Sequence, residues 1–142
     1  MNKRRKSGFT LIELMLVVVI IGIIVGIVVP RLSGRRQQAN IAATKHAISS
    51  TELGLDSFEL DVGRFPSTEE GLSALMEKPP SITDDDVWKG PYMKKWPRDS
   101  WRHDFVYKYP GEEGVDYDII SGGGDGQIGN EDDITNYEKD HE

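Results

Sequence analysis

The sequence predicts an α+β fold: one long N-terminal helix, its first half apolar and its second half amphipathic, joined to a small head with an antiparallel sheet. Three observations carry that expectation. Residues 11–29 are apolar or glycine throughout, except for Glu13. From Gln37 onward apolar residues recur every seven positions. Towards the C-terminus, residues 105–109 and 115–121 alternate as strands do, around the turn Pro110-Gly111-Glu112-Glu113-Gly114.

The apolar run comes first. Residues 11–29, at about 1.5 Å per residue, would span roughly 28 Å, close to one hydrocarbon core. Lys3, Arg4, Arg5 and Lys6 precede the run and favour a cytoplasmic N-terminus, an asymmetry weakened by Arg31, Arg35 and Arg36 after it. A secretory signal removed after its apolar core would end in a small-x-small site, whereas Pro30-Arg31-Leu32 follows here. A plain anchor accounts for the length but not for Glu13. A charge in mid-bilayer costs about 3 kcal/mol on insertion scales, and less near the interface. Pro30 lacks an N–H and is expected to break or kink the helix. Gly22 and Gly26 stand at the small-xxx-small spacing that lets helices approach closely.

The amphipathic half follows. Ile41, Ile48, Leu55 and Val62 recur every seven residues with Phe58 on the same face, while Lys45, Glu52 and Glu59 fall elsewhere. One apolar stripe predicts packing against the rest of the domain. A coiled coil would need apolar residues at both seam positions, and Thr44 and Thr51 occupy half of them. Gly63 and Pro66 are expected to end the helix.

In the head, Ser67-Thr68-Glu69-Glu70 reads as a capping box that opens a short helix with Leu72, Leu75 and Met76 on its face, stopped by Pro79-Pro80. Trp88, Trp96 and Trp101 are expected to roof a small core. Asp84-Asp85-Asp86 reads as a solvated loop, since three adjacent side chains diverge.

Composition narrows the functional classes. The chain of 142 residues leaves room for one small domain and an anchor. Its formal charge is −7, and leaving out Lys3, Arg4, Arg5 and Lys6 takes the remainder to −11. An acidic body argues against nucleic acid as a partner and suits cations. Cysteine is absent, so no disulfide ties the loops. No catalytic set is visible: His46, His103 and His141 lack partners at any recognisable spacing, and no phosphate loop or nucleotide fingerprint occurs. The sequence therefore predicts a protein that is not an enzyme.

The segment from Ser121 to Ile134 holds the strongest chemical candidates. Its glycines allow tight folding with inward carbonyls, and its carboxylates supply hard oxygen ligands of the kind calcium takes. The spacing is not that of an EF-hand, because Asn136 stands where the terminal Glu would be. On chemistry alone the segment reads equally as a cation site or as an acidic surface turn.

The stretch Lys3-Arg4-Arg5-Lys6-Ser7-Gly8-Phe9-Thr10-Leu11-Ile12-Glu13 closely resembles the class III signal of type IV pilins and pseudopilins. The resemblance implies a pilin-like lollipop fold. It also implies cleavage by a prepilin peptidase between Gly8 and Phe9 and N-methylation of Phe9. Glu13 would then sit one helical turn from that new amine and pair with the amine of a neighbouring subunit, fixing register during assembly. Gly63-Arg64-Phe65-Pro66-Ser67-Thr68-Glu69-Glu70-Gly71-Leu72 and Gly90-Pro91-Tyr92 resemble the major, G-type pseudopilins of type II secretion, which places the likeness over essentially the whole chain. Where that family usually has Asp-Pro-Trp-Gly, this chain has Asp99-Ser100-Trp101-Arg102.

The resemblance divides the chain into a cleaved leader (1–8), a membrane and filament-core helix (9–30), an amphipathic helix continuing into the head (31–63), and the head itself (64–142). It implies calcium in the acidic loop, held by Asp125, Asp132, Asp133 and the Gly122 carbonyl. Gly129-Asn130-Glu131 replaces the family's Gly-Gly-Glu-Gly run and shortens that loop. The implied partners are further copies of the chain as a homopolymer, minor pseudopilins, the peptidase and an inner-membrane secretion assembly platform. The implied place is the inner membrane, by a single pass, with the head in the periplasm and assembly into a periplasmic pseudopilus. The implied role is support of the export of folded proteins across the outer membrane. A type IV pilus subunit for adhesion or motility is the alternative, disfavoured because pilins commonly close a C-terminal loop with a disulfide.

Overall fold

The computed structural model describes residues 8–112 and 114–137, without the side chains of residues 27–33. The basic leader at 3–6, His141 and residues 138–142 lie outside the described residues; the charged tail is expected to fray from Asn136 onward, but Asn136 is held by hydrogen bonds to Ile119 N and the Tyr117 carbonyl. The chain divides into two compact units, Met1–Gln38 and Ala39–Glu142. A single helix, α1, runs Leu11–Val62 for 52 residues. The expected break at Pro30 does not occur. Proline in a helix interior removes one hydrogen bond and crowds the preceding turn, at about 3 kcal/mol, but it does not require the helix to end.

In the first unit the large apolar side chains described from Phe9 to Val25 are all exposed, from 44% at Val17 to 82% at Phe9. Among the described residues no helix is long and apolar enough to cross a membrane. The apolar run in the sequence continues to Val29, three residues past Gly26, where the described side chains of this stretch stop.

The second unit holds the core. The seven-residue stripe is buried as its spacing predicts: Ile48, Leu55 and Phe58 are almost fully enclosed, with Ile41 and Val62 packed against them. Thr44 and Thr51 are equally buried, each for a polar reason. Thr51 Oγ1 donates to the Ala47 carbonyl at 2.9 Å, and Thr44 Oγ1 accepts from Ser100 N at 3.1 Å. The opposite side of this half of α1 carries exposed Leu53 and Leu60. The helix ends as expected. Gly63 takes φ +81° and its N–H reaches the Glu59 carbonyl at 2.7 Å.

The capping box at Ser67 forms in both directions, with Ser67 N donating to Glu70 Oε2 at 2.7 Å and Glu70 N to Ser67 Oγ at 3.2 Å. It opens a turn rather than an α-helix. A one-turn 3₁₀ helix, Gly71–Leu75, follows and buries Leu72, Ala74 and Leu75, and it stops before Pro79. Arg64 clamps the same carboxylate through both guanidinium nitrogens at 2.7 Å, and Ser81 donates to it.

The sheet has three antiparallel strands in the order β1 (Val106–Lys108), β2 (Asp118–Ser121) and β3 (Ile134–Thr135). Val106 faces Ile120, and Ser121 faces Ile134. β1 and β2 match the two expected strands in shortened form. β3, two residues long, shows no periodicity from which it could be read. Asn136 holds its end, with Ile119 N donating to Asn136 Oδ1 at 2.8 Å and Asn136 Nδ2 donating to the Tyr117 carbonyl at 3.0 Å.

Of the three tryptophans, Trp88 and Trp101 pack against the core. Trp88 Nε1 also donates to the Ala74 carbonyl at 3.0 Å, and the indole lies so close to Gly90 that a Cβ there would overlap it at 2.4 Å. Trp96 does not join the roof. It is 42% exposed, and its indole N–H reaches Asp104 at 2.9 Å. The Asp84-Asp85-Asp86 loop is exposed as expected, with Lys78 paired to Asp85.

The Glu70 clamp gives a pH signature. Its hydrogen bonds from Arg64 hold the carboxyl down at about 2, against 4.5 for an ordinary glutamate. The folded state therefore binds fewer protons here than the unfolded state below pH 4.5. Stability from this group is complete above pH 4.5 and is lost as pH falls towards 2. The thermal midpoint of the wild type should drop across that window, and Glu70→Gln should remove part of the drop while lowering the midpoint at pH 7. Equal pH slopes in the two proteins would show that Glu70 carries none of it.

Candidate functional site

Two places carry the candidate residues: the start of α1 and the loop between β2 and β3. At the start of α1, Thr10 and Glu13 form a reciprocal capping box. Thr10 N and Thr10 Oγ1 donate to Glu13 Oε2 at 2.9 and 2.8 Å, and Glu13 N donates to Thr10 Oγ1 at 3.3 Å. Thr-x-x-Glu before an apolar run is the sequence signature of this arrangement, and it gives Glu13 a local partner within the single chain. Gly8 and Phe9 precede the helix and are exposed.

The acidic loop spans residues 122–133 and joins the ends of two paired strands. Its first turn closes through Gly126 N donating to the Gly122 carbonyl at 2.9 Å. The carboxylate of Asp132 accepts from Gly124 N at 2.9 Å and from Asp125 N at 3.4 Å. Asp125 accepts from Gln127 N at 2.8 Å and from Asn130 Nδ2 at 3.0 Å. Asp133 accepts from Gly129 N at 2.8 Å. Gly123, at φ +57°, is a position only glycine can fill, because a Cβ there would meet the Asp132 carbonyl at 2.3 Å.

So the three predicted carboxylates and the Gly122 carbonyl do share one loop, each engaged with the loop's own N–H groups. Asp125 is exposed, Asp132 and Asp133 are half-buried, and Gly122 is buried. Among the described residues no group of three or more His, Asp or Glu side chains stands where it could hold a metal ion. The donors fit calcium in kind, since all are oxygens and no Lys or Arg lies between Gly122 and Asp133. Their present convergence is on backbone amides.

Sequence reasoning missed the residue that holds this loop in place. Asp99 has no exposed side-chain surface. Its Oδ1 accepts from Trp101 N at 2.9 Å and His103 N at 2.7 Å, and its Oδ2 accepts from Ser121 Oγ at 2.8 Å. Ser121 Oγ in turn accepts from Gly123 N at 3.2 Å. The rings that follow Asp99 lie on the loop. A Cβ on Gly124 would be 3.6 Å from Trp101 Nε1, and one on Gly126 would be 3.0 Å from the His103 ring. The sequence offers one weak sign of this, an Asp-Ser pair suited to a tight turn.

The same turn sets the backbone of Arg102. Among the described residues Arg102 is the non-glycine residue with positive φ, at 74°. Its N–H closes the turn onto the Asp99 carbonyl at 3.1 Å, and Asp99 N returns to the His103 carbonyl at 3.0 Å. The resemblance read from the sequence expects glycine at this position, which suits its left-handed backbone.

A long helix entered through a capping box at Glu13, a small antiparallel sheet and a looped C-terminal hairpin together define the pilin-like class. Residues 3–29 match the family model "Prokaryotic N-terminal methylation motif", and residues 31–137 match "Type II secretion system (T2SS), protein G". The chain is 42% identical to the type II secretion system core protein G of Aeromonas hydrophila, covering 96% of each chain. It is also 42% identical to the core protein G of Escherichia coli K12, covering 94% of this chain and 92% of that one. Among solved structures it resembles the major pseudopilin from the type 2 secretion system of enterohaemorrhagic Escherichia coli, with a TM-score of 0.66 and 35% identity over 74% of this chain and 88% of that one. The chain belongs to the type II secretion system protein G family.

Left-handed backbone costs a residue with a Cβ about 1 kcal/mol or more relative to glycine. Arg102→Gly should therefore raise the thermal midpoint by a few degrees, and Arg102→Ala should leave it near the wild type. A fall in midpoint for Arg102→Gly would mean that the exposed arginine side chain contributes more than the strain costs.

Proposed function

We propose that the protein is the major structural subunit of a type II secretion pseudopilus, polymerising with copies of itself to support export of folded proteins across the outer membrane. The observation that carries this reading is the likeness to core protein G over nearly the whole chain, methylation motif included. The exposed apolar surface at the start of α1 agrees with it, because such surface needs lipid or other subunits around it. The reading puts residues 9–30 in the inner membrane as a single pass, the head in the periplasm, and residues 1–8 in a leader removed by the prepilin peptidase. Phe9 is then the residue N-methylated. Minor pseudopilins and an inner-membrane assembly platform are the further partners, and the role is structural rather than catalytic.

In this reading Glu13 has two successive partners. In the isolated chain its carboxylate serves the capping box with Thr10. In the filament it pairs with the cationic Phe9 amine of a neighbour, which fixes register because an unpaired charge in an apolar array is costly. Two variants separate these roles in a strain lacking its own core protein G. Glu13→Gln keeps a capping acceptor and loses the charge, while Glu13→Leu loses both. Both should insert in the membrane and reduce pseudopili and secretion to near background. Normal filaments from Glu13→Gln would show that capping alone is what assembly needs.

Calcium belongs to the same proposal. Asp125, Asp132, Asp133 and the Gly122 carbonyl would hold it, after the carboxylates turn from loop amides towards the ion. The ion would staple a loop that no disulfide secures, and its hard charge would suit an all-oxygen donor set. With calcium at a hundredfold above its dissociation constant, the full chain in detergent should gain about 2.7 kcal/mol of stability over its state in chelator. Asp125→Ala should lose that gain. A variant midpoint lowered equally with calcium and with chelator would mark Asp125 as a structural turn residue.

A further inference from the structure

We propose that the segment from Lys94 to Arg102 is a contact surface for the anionic headgroups of a lipid bilayer. The inference rests on the membrane reading of residues 9–30 above and concerns a surface that reading leaves unused. The segment carries four cations, Lys94, Lys95, Arg98 and Arg102, all exposed, and its one carboxylate, Asp99, is buried. That reverses the sign of a chain whose net charge is −7. Ser100 N donates to Thr44 Oγ1 at 3.1 Å, which holds the segment against α1 close to Ala39, where the second unit begins. In sequence, residues 30–51 of the same helix hold Arg31, Arg35, Arg36 and Lys45 and no Asp or Glu.

Two side chains set this segment apart from a solvated run of charge. Trp96 is held outward by Asp104, whose Oδ1 accepts from the indole Nε1 at 2.9 Å and from Arg98 Nε at 2.7 Å. With its polar atom partnered, the indole has only carbon to offer outward, beside a guanidinium bound to the same oxygen. Lipid interfaces favour that combination, with the ring at headgroup level and the cations on phosphate. An acidic protein face would instead set the ring against charge. Arg102 is the second. It holds left-handed backbone at φ 74°, where glycine would be unstrained, and among the described residues its guanidinium has no hydrogen-bond or ion-pair partner. Strain kept for a side chain that contacts nothing in the fold points to a contact outside it. Lys94 and Lys95 are likewise unpaired among the described residues. Asp104 offsets Arg98, so three of the four cations stay uncommitted.

Trp88, Trp96 and Trp101 are the chain's tryptophans and all lie in the second unit, so tryptophan emission reports that unit alone. The test reconstitutes the full chain in vesicles of phosphatidylcholine, or of phosphatidylcholine mixed with phosphatidylglycerol, with lipid brominated near the carbonyl as quencher. Quenching should appear in the mixed vesicles, stay near background in phosphatidylcholine alone, and fall as salt is raised. Trp96→Phe should lose most of it while staying in the vesicles. Arg102→Gly, which relieves the backbone, should weaken the contact about fivefold, as for one cation removed from an anionic surface. Replacing Lys94 and Lys95 together by Gln should weaken it further. No quenching, equal quenching in both vesicle types, or unchanged quenching in Trp96→Phe would overturn the proposal. So would shielding of Trp96 that follows the protein-to-lipid ratio and ignores lipid charge, which would put a second copy on the segment. Alkaline extraction separates the two readings. Release of the chain by alkali would end the membrane reading of residues 9–30, and quenching that depends on headgroup and salt would still decide the contact.

Discussion

A carboxylate with no exposed surface must find donors for its charge, and the way Asp99 finds them organises the whole second unit. Two of its donors are backbone amides of its own turn, at Trp101 and His103, and the third is the hydroxyl of Ser121 at the end of β2. The next amide in that turn, Ser100 N, goes to Thr44 on α1. Ser121 passes the connection on to Gly123, where the acidic loop begins. Helix, turn, sheet and loop thus meet around one buried side chain. Removing either partner of such a bond would leave a buried polar group unsatisfied, which costs far more than the bond itself contributes. The conformational cost of Arg102 follows from the same point, because the turn must close tightly for two amides to reach one oxygen.

The sequence made the apolar parts of this arrangement legible and concealed most of the polar ones. The stripe of Ile48, Leu55 and Phe58 could be read because burial on a helix imposes a spacing that any apolar residue reveals. Thr44 and Thr51 lie in the same buried surface but read as interruptions: the Thr51 hydroxyl bonds back to the Ala47 carbonyl one turn earlier, and that of Thr44 meets Ser100 at a position no local pattern encodes. Trp88 and Trp101 pack where large aromatics are expected, whereas Trp96 is held out by a hydrogen bond to Asp104. β3 is two residues long and is defined by its pairing with Ile120 and Ser121, so periodicity could not show it. The acidic loop divides the same way: its residue types announced oxygen chemistry, while the pairing of Asp125 with Asn130 depends on a fold-back of five residues. The Thr10–Glu13 box lies between these extremes, with a local signature that a reading centred on the charge of Glu13 passes over.

The two units solve opposite problems. The first exposes side chains that water does not favour, from Phe9 to Val25, and has one carboxylate among them. The capping box satisfies Glu13 within the single chain. The second unit carries its own core but has few cations to spare. Capping by a side chain is a local solution, made within one turn of the chain.

Acid outnumbers base in the chain by 24 to 17, and no cysteine is present. In a domain of this kind a surplus of carboxylates could be expected to repel, yet several of them close loops. Asp99 gathers a turn, Glu70 accepts from Ser67 N, Asp118 accepts from Glu112 N, and the loop acids accept from Gly124, Gln127 and Gly129. The donors are mostly backbone amides, which every loop supplies whatever its charge. A carboxylate spent in this way binds a loop through non-covalent contacts alone, without a disulfide. The absence of cysteine and the acidic composition are therefore one solution: loops held by carboxylate–amide contacts in place of disulfides.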